Sequence, residues 1–224
     1  MKIGVSSLMK IGIVIAMQEE MDNILNVIRK NCMYYEEYHL NDDVVSLKMR
    51  ENQFYFYQSG IGNLNSLLGA CKLHREFNCD MICNIGCCGC FKSERFLSLG
   101  SIIEFDKNIL NFGYQLNPYK YHYDDCKISD YLNLDSDFDN LLLSCHDFTR
   151  EGIANNPYLK IEKYKNVFLD MEGYGVLAYC LKNRVKYKIL KIVSDSCVEE
   201  EFDENVLNEK IYSNVFESLK TLLV

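Results

Sequence analysis

The segment Lys10–Ala16 is a short β-branched run with no alternation of polar and apolar residues. Such a run suits a strand buried on both faces, which needs a sheet covered by helices on each side. The downstream segments keep to that pattern. Gln18 to Lys30 sets Met21, Ile24, Leu25 and Ile28 at helical spacing behind leading acids. Val44–Met49 and Phe54–Gln58 read as strands. Ser59-Gly60-Ile61-Gly62 reads as a tight turn, and Asn63 to Phe77 as a helix with Leu64, Leu67, Leu68 and Cys71 on one face. Met81–Ile85 reads as a buried strand ending in the turn Gly86-Cys87-Cys88-Gly89. Further strands are expected at Ser101–Phe105, Leu141–Cys145, Asn166–Leu169 and Tyr187–Ser194. Helices are expected at Glu172 to Asn183 and at Val206 to Leu223, the latter with Val215, Leu219 and Leu222 inward. Residues 107–135 read as one long irregular loop, rich in Asn, Asp and Tyr. The expected fold is therefore α/β, with a mostly parallel or mixed sheet covered on both faces.

The 224 residues accommodate one such domain without disulfide or metal staples. We place it at 9–224. The phrase Met-Lys-Ile-Gly occurs at both Met1 and Met9, so residues 1–8 read as an upstream extension. A signal peptide is the competing reading, but Lys10 leaves an apolar stretch only at the short limit for one. No apolar run approaches the roughly 18–20 residues that span a bilayer. The formal charge of −8 counts against nucleic acid or an anionic membrane as partner. Eleven cysteines, an odd number, point to a reducing cytoplasm and to buried thiols rather than to a disulfide framework. Cys79, Cys83, Cys87, Cys88 and Cys90 lie close in sequence but lack the paired turns of a zinc site. The histidines show no metal spacing either.

Ligands of such sheets bind beyond the carboxyl ends of the strands. Those ends carry Gln18-Glu19-Glu20, Ser59-Gly60-Ile61-Gly62, Gly86-Cys87-Cys88-Gly89, Asp170-Met171-Glu172 and Ser194-Asp195-Ser196. They hold acids, glycines and small hydroxyls, and no Lys or Arg. The nearest bases, Lys165 and Lys191, fall on the strand side. A phosphate would lack a cationic anchor, whereas acids suit proton transfer and sugar hydroxyls. Each acid also has a local explanation. Glu20 and Glu172 fit first turns of helices, and Asp170 and Asp195 fit caps. Their shared edge of one sheet raises them above that.

Ala16-Met17-Gln18-Glu19-Glu20, Ser59-Gly60-Ile61-Gly62-Asn63-Leu64-Asn65, Asn84-Ile85-Gly86-Cys87-Cys88-Gly89, Asp170-Met171-Glu172 and Ser194-Asp195 together resemble the nucleoside phosphorylase superfamily. Within it the chain is most similar to the 5'-methylthioadenosine/S-adenosylhomocysteine nucleosidases. That resemblance implies a three-layer α/β/α fold around a mixed, partly barrel-like sheet, a homodimer, no cofactor, and hydrolysis of an adenine thionucleoside. It implies that Glu20 activates water and that Asp195 protonates adenine N7 as the base leaves. Glu172 would hold the ribose hydroxyls, Met171 would pack on the sugar, and Ser194 would support Asp195. Cys87, Cys88 and Gly89 would line the base and ribose. Met17, Ile61, Phe112, Tyr114 and Phe202 would meet the 5'-thio group, with Pro118 entering from a dimer mate. Phe148 would stack on adenine. Phosphorolytic relatives carry a Gly-Asp-Pro-x-Arg turn where this chain has Ala16–Glu20. The chain departs from the usual Gly-Ser-Ala-Gly-Gly with Gly86-Cys87-Cys88-Gly89-Cys90, and another nucleoside, such as futalosine, stays open. So does a nucleoside-binding protein without catalysis.

Overall fold

The computed structural model describes residues 8–41, 43–94, 97–105, 109–111, 139–145, 161–197 and 199–221. Among the expected site residues, Phe112, Tyr114, Pro118 and Phe148 lie outside the described set. Strand β1 (Lys10–Ile15) is paired in parallel on both sides, with β4 (Asn52–Gln58) and β5 (Met81–Lys92). Both of its faces are covered, as its unbroken apolar run requires. Ile11, Ile13 and Ile15 face helix α1 (Gln18–Asn31), and Val14 faces the side of helix α2 (Asn63–Phe77).

The sheet forks at β5. Its first half lies between β1 and β10 (Lys186–Asp195), which it pairs in parallel. Its second half pairs antiparallel with β9 (Asn166–Asp170), Gly89 opposite Leu169. Beyond β9 lie β8 (Asn140–Ser144) and β7 (Ile109–Asn111), and β10 also pairs with β6 (Ile102–Phe105). On the other flank β4 continues into β3 (Val44–Met49) and the edge strand β2 (Glu36–Asn41). Helix α3 (Gly173–Asn183) packs with α2 on one face; α1 and the C-terminal helix α5 (Val215–Thr221) cover the other. The layers are therefore α/β/α. Among the described residues, no helix is long and apolar enough to cross a membrane.

Four expectations need correction. Gly86-Cys87-Cys88-Gly89 is not a turn, because β5 runs on through it to Lys92 while β10 and β9 supply partners. The C-terminal helix is three pieces: α4 (Glu199–Val206), a 3-10 turn Glu209–Tyr212 and α5. Asn208 caps the middle one by accepting the Lys210 N–H at 3.1 Å. Two strands were missed. The short β7 falls in the stretch read as loop, and the edge strand β2 carries Glu36, Glu37, His39 and Asn41, polar residues that keep sheet edges soluble but erase the strand pattern.

The fourth correction concerns α2. Its packed face is Ser66, Gly69, Ala70 and Leu73, while Leu64 and Leu68 are 69% and 56% exposed. Close approach to α3 dictates this choice. A Cβ on Gly175 of α3 would stand 2.0 Å from the Asn63 carbonyl oxygen and 2.3 Å from Ser66 Oγ. Leucines on that face would hold the helices apart. Gly175→Ala should therefore destabilise the protein by about 1–3 kcal/mol despite alanine's better helix propensity, read as a lower denaturation midpoint. An unchanged midpoint would show that α2 and α3 are free to separate.

Candidate active site

The N-terminus of α1 follows β1 directly, and Glu20 sits in its first turn, 2% exposed. Its Oε2 accepts the Met17 N–H at 3.2 Å and its Oε1 accepts the Cys87 N–H at 2.7 Å. The first bond caps the helix and the second fastens the carboxylate to β5. Glu172 stands at the N-cap position of α3, after β9. Its Oε1 accepts the Gly62 N–H at 3.1 Å, and its carbonyl accepts Ser66 Oγ at 2.8 Å. Gly62 has φ +107°, a conformation that favours glycine, so this donor depends on residue type. Asp195 ends β10. Its Oδ1 accepts the Cys197 N–H at 2.7 Å and its Oδ2 accepts Ser194 Oγ at 2.6 Å.

Glu20 and Asp195 border Gly86–Gly89 of β5, and Glu172 is linked to that stretch through Lys191. A Cβ on Gly86 would stand 3.1 Å from Glu20 Oε1 and 3.6 Å from Lys191 Nζ; one on Gly89 would stand 2.8 Å from Asp195 Oδ1. The glycines leave room for ionisable side chains against the strand. Cys87 and Cys88 are buried between them, Ser194 is buried, and Met17, Met171 and Phe202 are half-buried. Ile61 is exposed. Beside Asp195 opens a cavity of about 740 Å³, walled by Cys90, Leu97, Leu99 and Val193 and rimmed by Ser196 and Glu201, a volume within the usual range for a small-molecule site.

Sequence reasoning expected no cation here, and the structure overturns that. Lys191 is fully buried, its Nζ 2.7 Å from Asp170 Oδ2 and 3.7 Å from Glu172 Oε2. Its partner across the β5–β10 ladder is Gly86, which has no side chain to fill the space. Burial alone would lower the Lys191 pKa, but Asp170 and Glu172, with Glu20 beyond them, hold it above its ordinary value. Asp170 Oδ2 also accepts the Gly173 N–H at 2.7 Å, so Asp170 serves the start of α3 from two positions before the N-cap Glu172. Its other oxygen, buried, has no hydrogen-bond partner among the described residues.

The family model described as "Phosphorylase superfamily" matches residues 10–219, nearly the whole chain. The chain belongs to the phosphorylase superfamily. Among superfamily proteins it is 26% identical to an aminodeoxyfutalosine nucleosidase of Campylobacter jejuni, over 92% of this chain and 96% of that protein. It is 31% identical over 120 residues to a 5'-methylthioadenosine/S-adenosylhomocysteine nucleosidase of Exiguobacterium, a match covering 48% of this chain and 46% of that one. Its fold is similar to a crystal structure of the Helicobacter pylori 5'-methylthioadenosine/S-adenosylhomocysteine nucleosidase. The TM-score is 0.69 at 19% identity, over 97% of this chain and 100% of the other.

Electrostatics separate the acids of this superfamily member. Burial, reinforced by Asp170 and Glu20, raises the Glu172 pKa to about 7, against the pull of Lys191 and of the Gly62 N–H. Burial also raises Asp195, opposed by the Ser194 and Cys197 hydrogen bonds. Because the folded Glu172 value lies above the ordinary 4.5, protonated Glu172 contributes stability that is complete below 4.5 and lost as pH rises through about 7. Glu172→Gln should therefore flatten the fall of Tm between about pH 5 and 7.5. Thermal melts across that range check it, and parallel Tm curves for the two proteins would contradict it.

Proposed function

We propose that this chain hydrolyses the N-glycosidic bond of an adenine nucleoside bearing a 5'-thio substituent, 5'-methylthioadenosine or S-adenosylhomocysteine. The observation that carries the reading is that Glu20 and Asp195, from separate segments, border one stretch of β5, with Glu172 joined to it by Lys191 opposite Gly86. Each then has a distinct task. Glu20, held by two backbone N–H groups, takes a proton from water as the water oxygen bonds C1'. Asp195, its pKa raised by burial, gives a proton to adenine N7 as the C1'–N9 bond breaks. Glu172 accepts hydrogen bonds from the ribose 2'- and 3'-hydroxyls, and Met171 packs on the sugar. The buried carboxylates stabilise the oxocarbenium-like sugar between those events. Free adenine and the thio-sugar are the products, and the role assignments need no cofactor.

Water rather than phosphate is the co-substrate in this reading. Lys191 is already committed to Asp170 and Glu172. A phosphate brought to about 4 Å from Glu20 would meet repulsion of about 4 kcal/mol per charge pair at an effective dielectric near 20. The exposed Leu64 and Leu68, beside the exposed Ile61 at the mouth of the site, support a homodimer built on this face of α2. Cys79, Cys83, Cys87, Cys88 and Cys180 are buried free thiols, which supports a cytoplasmic setting.

The likeness to the Campylobacter jejuni protein, which runs over nearly the full length of both chains, supports a second reading: a nucleoside of the futalosine type in the same site. Purified protein given methylthioadenosine, adenosylhomocysteine, aminodeoxyfutalosine and futalosine, each with and without phosphate, separates the readings. Phosphate-independent release of adenine from the first two supports our proposal, and release from the futalosine pair alone moves it to the second. Phosphate-dependent product, or full turnover by Asp195→Asn, would remove the assigned roles. Thermal stabilisation by ligand without product would mark a binding protein.

A further inference from the structure

Tyr212 is the largest fully buried side chain among the described residues, and its hydroxyl sits in the core behind Glu20. Its Oη lies 3.2 Å from Cys87 Sγ and 3.3 Å from the Val206 carbonyl oxygen. Cys87 is the residue whose backbone N–H holds Glu20 Oε1. We infer that Tyr212 is a positioning residue for Glu20, its phenol fixing the Cys87 thiol against the Glu20 carboxylate. The inference rests on the hydrolytic role given to Glu20 above.

A buried phenol has one proton to give, and here two acceptors compete for it. Given to Cys87 Sγ, it leaves the thiol proton free to point at Glu20. Given to Val206, it turns the thiol proton back toward the phenol oxygen. Both members stay protonated throughout. Burial raises the pKa of Cys87 and of Tyr212, and in each case the neighbouring Glu20 adds to it. Glu20 is also faced by Lys191 from β10 and by Glu172 from the end of β9, and Glu19 of its own helix acts on Tyr212. Neither Lys191 nor Glu172 replaces the thiol, since both face Asp170. The device ties the turn Glu209–Tyr212, far along the chain, to the base in the first helix.

Tyr212→Phe keeps the ring and deletes only the hydroxyl. With a nucleoside that the wild type hydrolyses, kcat should fall about threefold to tenfold with KM within about twofold, the scale of one weakened hydrogen bond in the transition state. Cys87→Ala should do the same, Cys87→Ser should restore kcat, and the double variant Cys87→Ala/Tyr212→Phe should be no worse than the more damaged single. A lower Tm with kcat and KM unchanged, or additive losses in the double variant, would reduce Tyr212 to a core residue. The carbon-13 chemical shift of the Glu20 carboxyl reads the same contact without turnover. If it shifts on Tyr212→Phe while the wild type hydrolyses nothing, the function is wrong and the contact stands. An unmoved resonance refutes the inference itself.

Discussion

Glu20→Gln is expected to lower turnover by at least about a hundredfold while leaving nucleoside affinity within a few fold, as the base role proposed for Glu20 requires. The amide is isosteric and can accept one of the two N–H bonds from Met17 and Cys87, so the helix start and the β5 contact survive in part. Losing the other bond leaves a backbone N–H unpaired and should cost about 1–3 kcal/mol of stability, too little to unfold a chain of this size. The measurement is a single-turnover assay of base release beside a direct binding titration. Full activity would mean that the attacking water is activated elsewhere. Lost binding with unchanged single-turnover rate would make Glu20 a ligand contact.

The larger effect on stability is expected at Lys191. Lys191→Met fills similar volume but removes the only cation within reach of Asp170 and Glu172 among the described residues, leaving buried carboxylates uncompensated. Breaking a buried ion pair from one side costs about 3–5 kcal/mol, about 10 °C in Tm at this chain length. Lys191→Met/Asp170→Asn should regain most of that loss. The asparagine keeps an oxygen for the Gly173 N–H of the α3 cap and carries no charge. The pH dependence has a definite sign. Lys191 holds the Glu172 pKa down, so without it that pKa climbs further above about 7. The single variant should then be closest to wild type in acid, where Glu172 is neutral, and fall furthest behind as pH rises. Thermal melts of the three proteins at acidic and alkaline pH test this. A single variant as stable as wild type at every pH would mean that the site is already neutral.

Neighbouring residues were enough to determine where the chain turns from strand to helix. The unbroken run at Lys10–Ala16 could only be a strand covered on both sides, and Asn63–Phe77 was bounded as found because periodicity is a local property. The segments that follow β1, β4, β9 and β10 were legible for the same reason, whereas Gly86–Gly89, expected as a turn, runs on as strand. The edge strand β2 was not legible, since it satisfies a ladder on one side only and needs no apolar pattern. Lys191 was misread because an isolated lysine in a strand normally points to water. Here Gly86 lies opposite it and Asp170 stands at its tip, and neither fact exists until β10 pairs with β5 and β9 folds back. The inward face of α2 was settled by the α3 glycine it must approach, against its own leucines. Tyr212 meets Cys87 across 125 positions of sequence. Secondary structure is set by residues a few positions apart. Strand register and helix spacing are set by partners that share no sequence neighbourhood, so only tertiary structure could decide which charges are buried together.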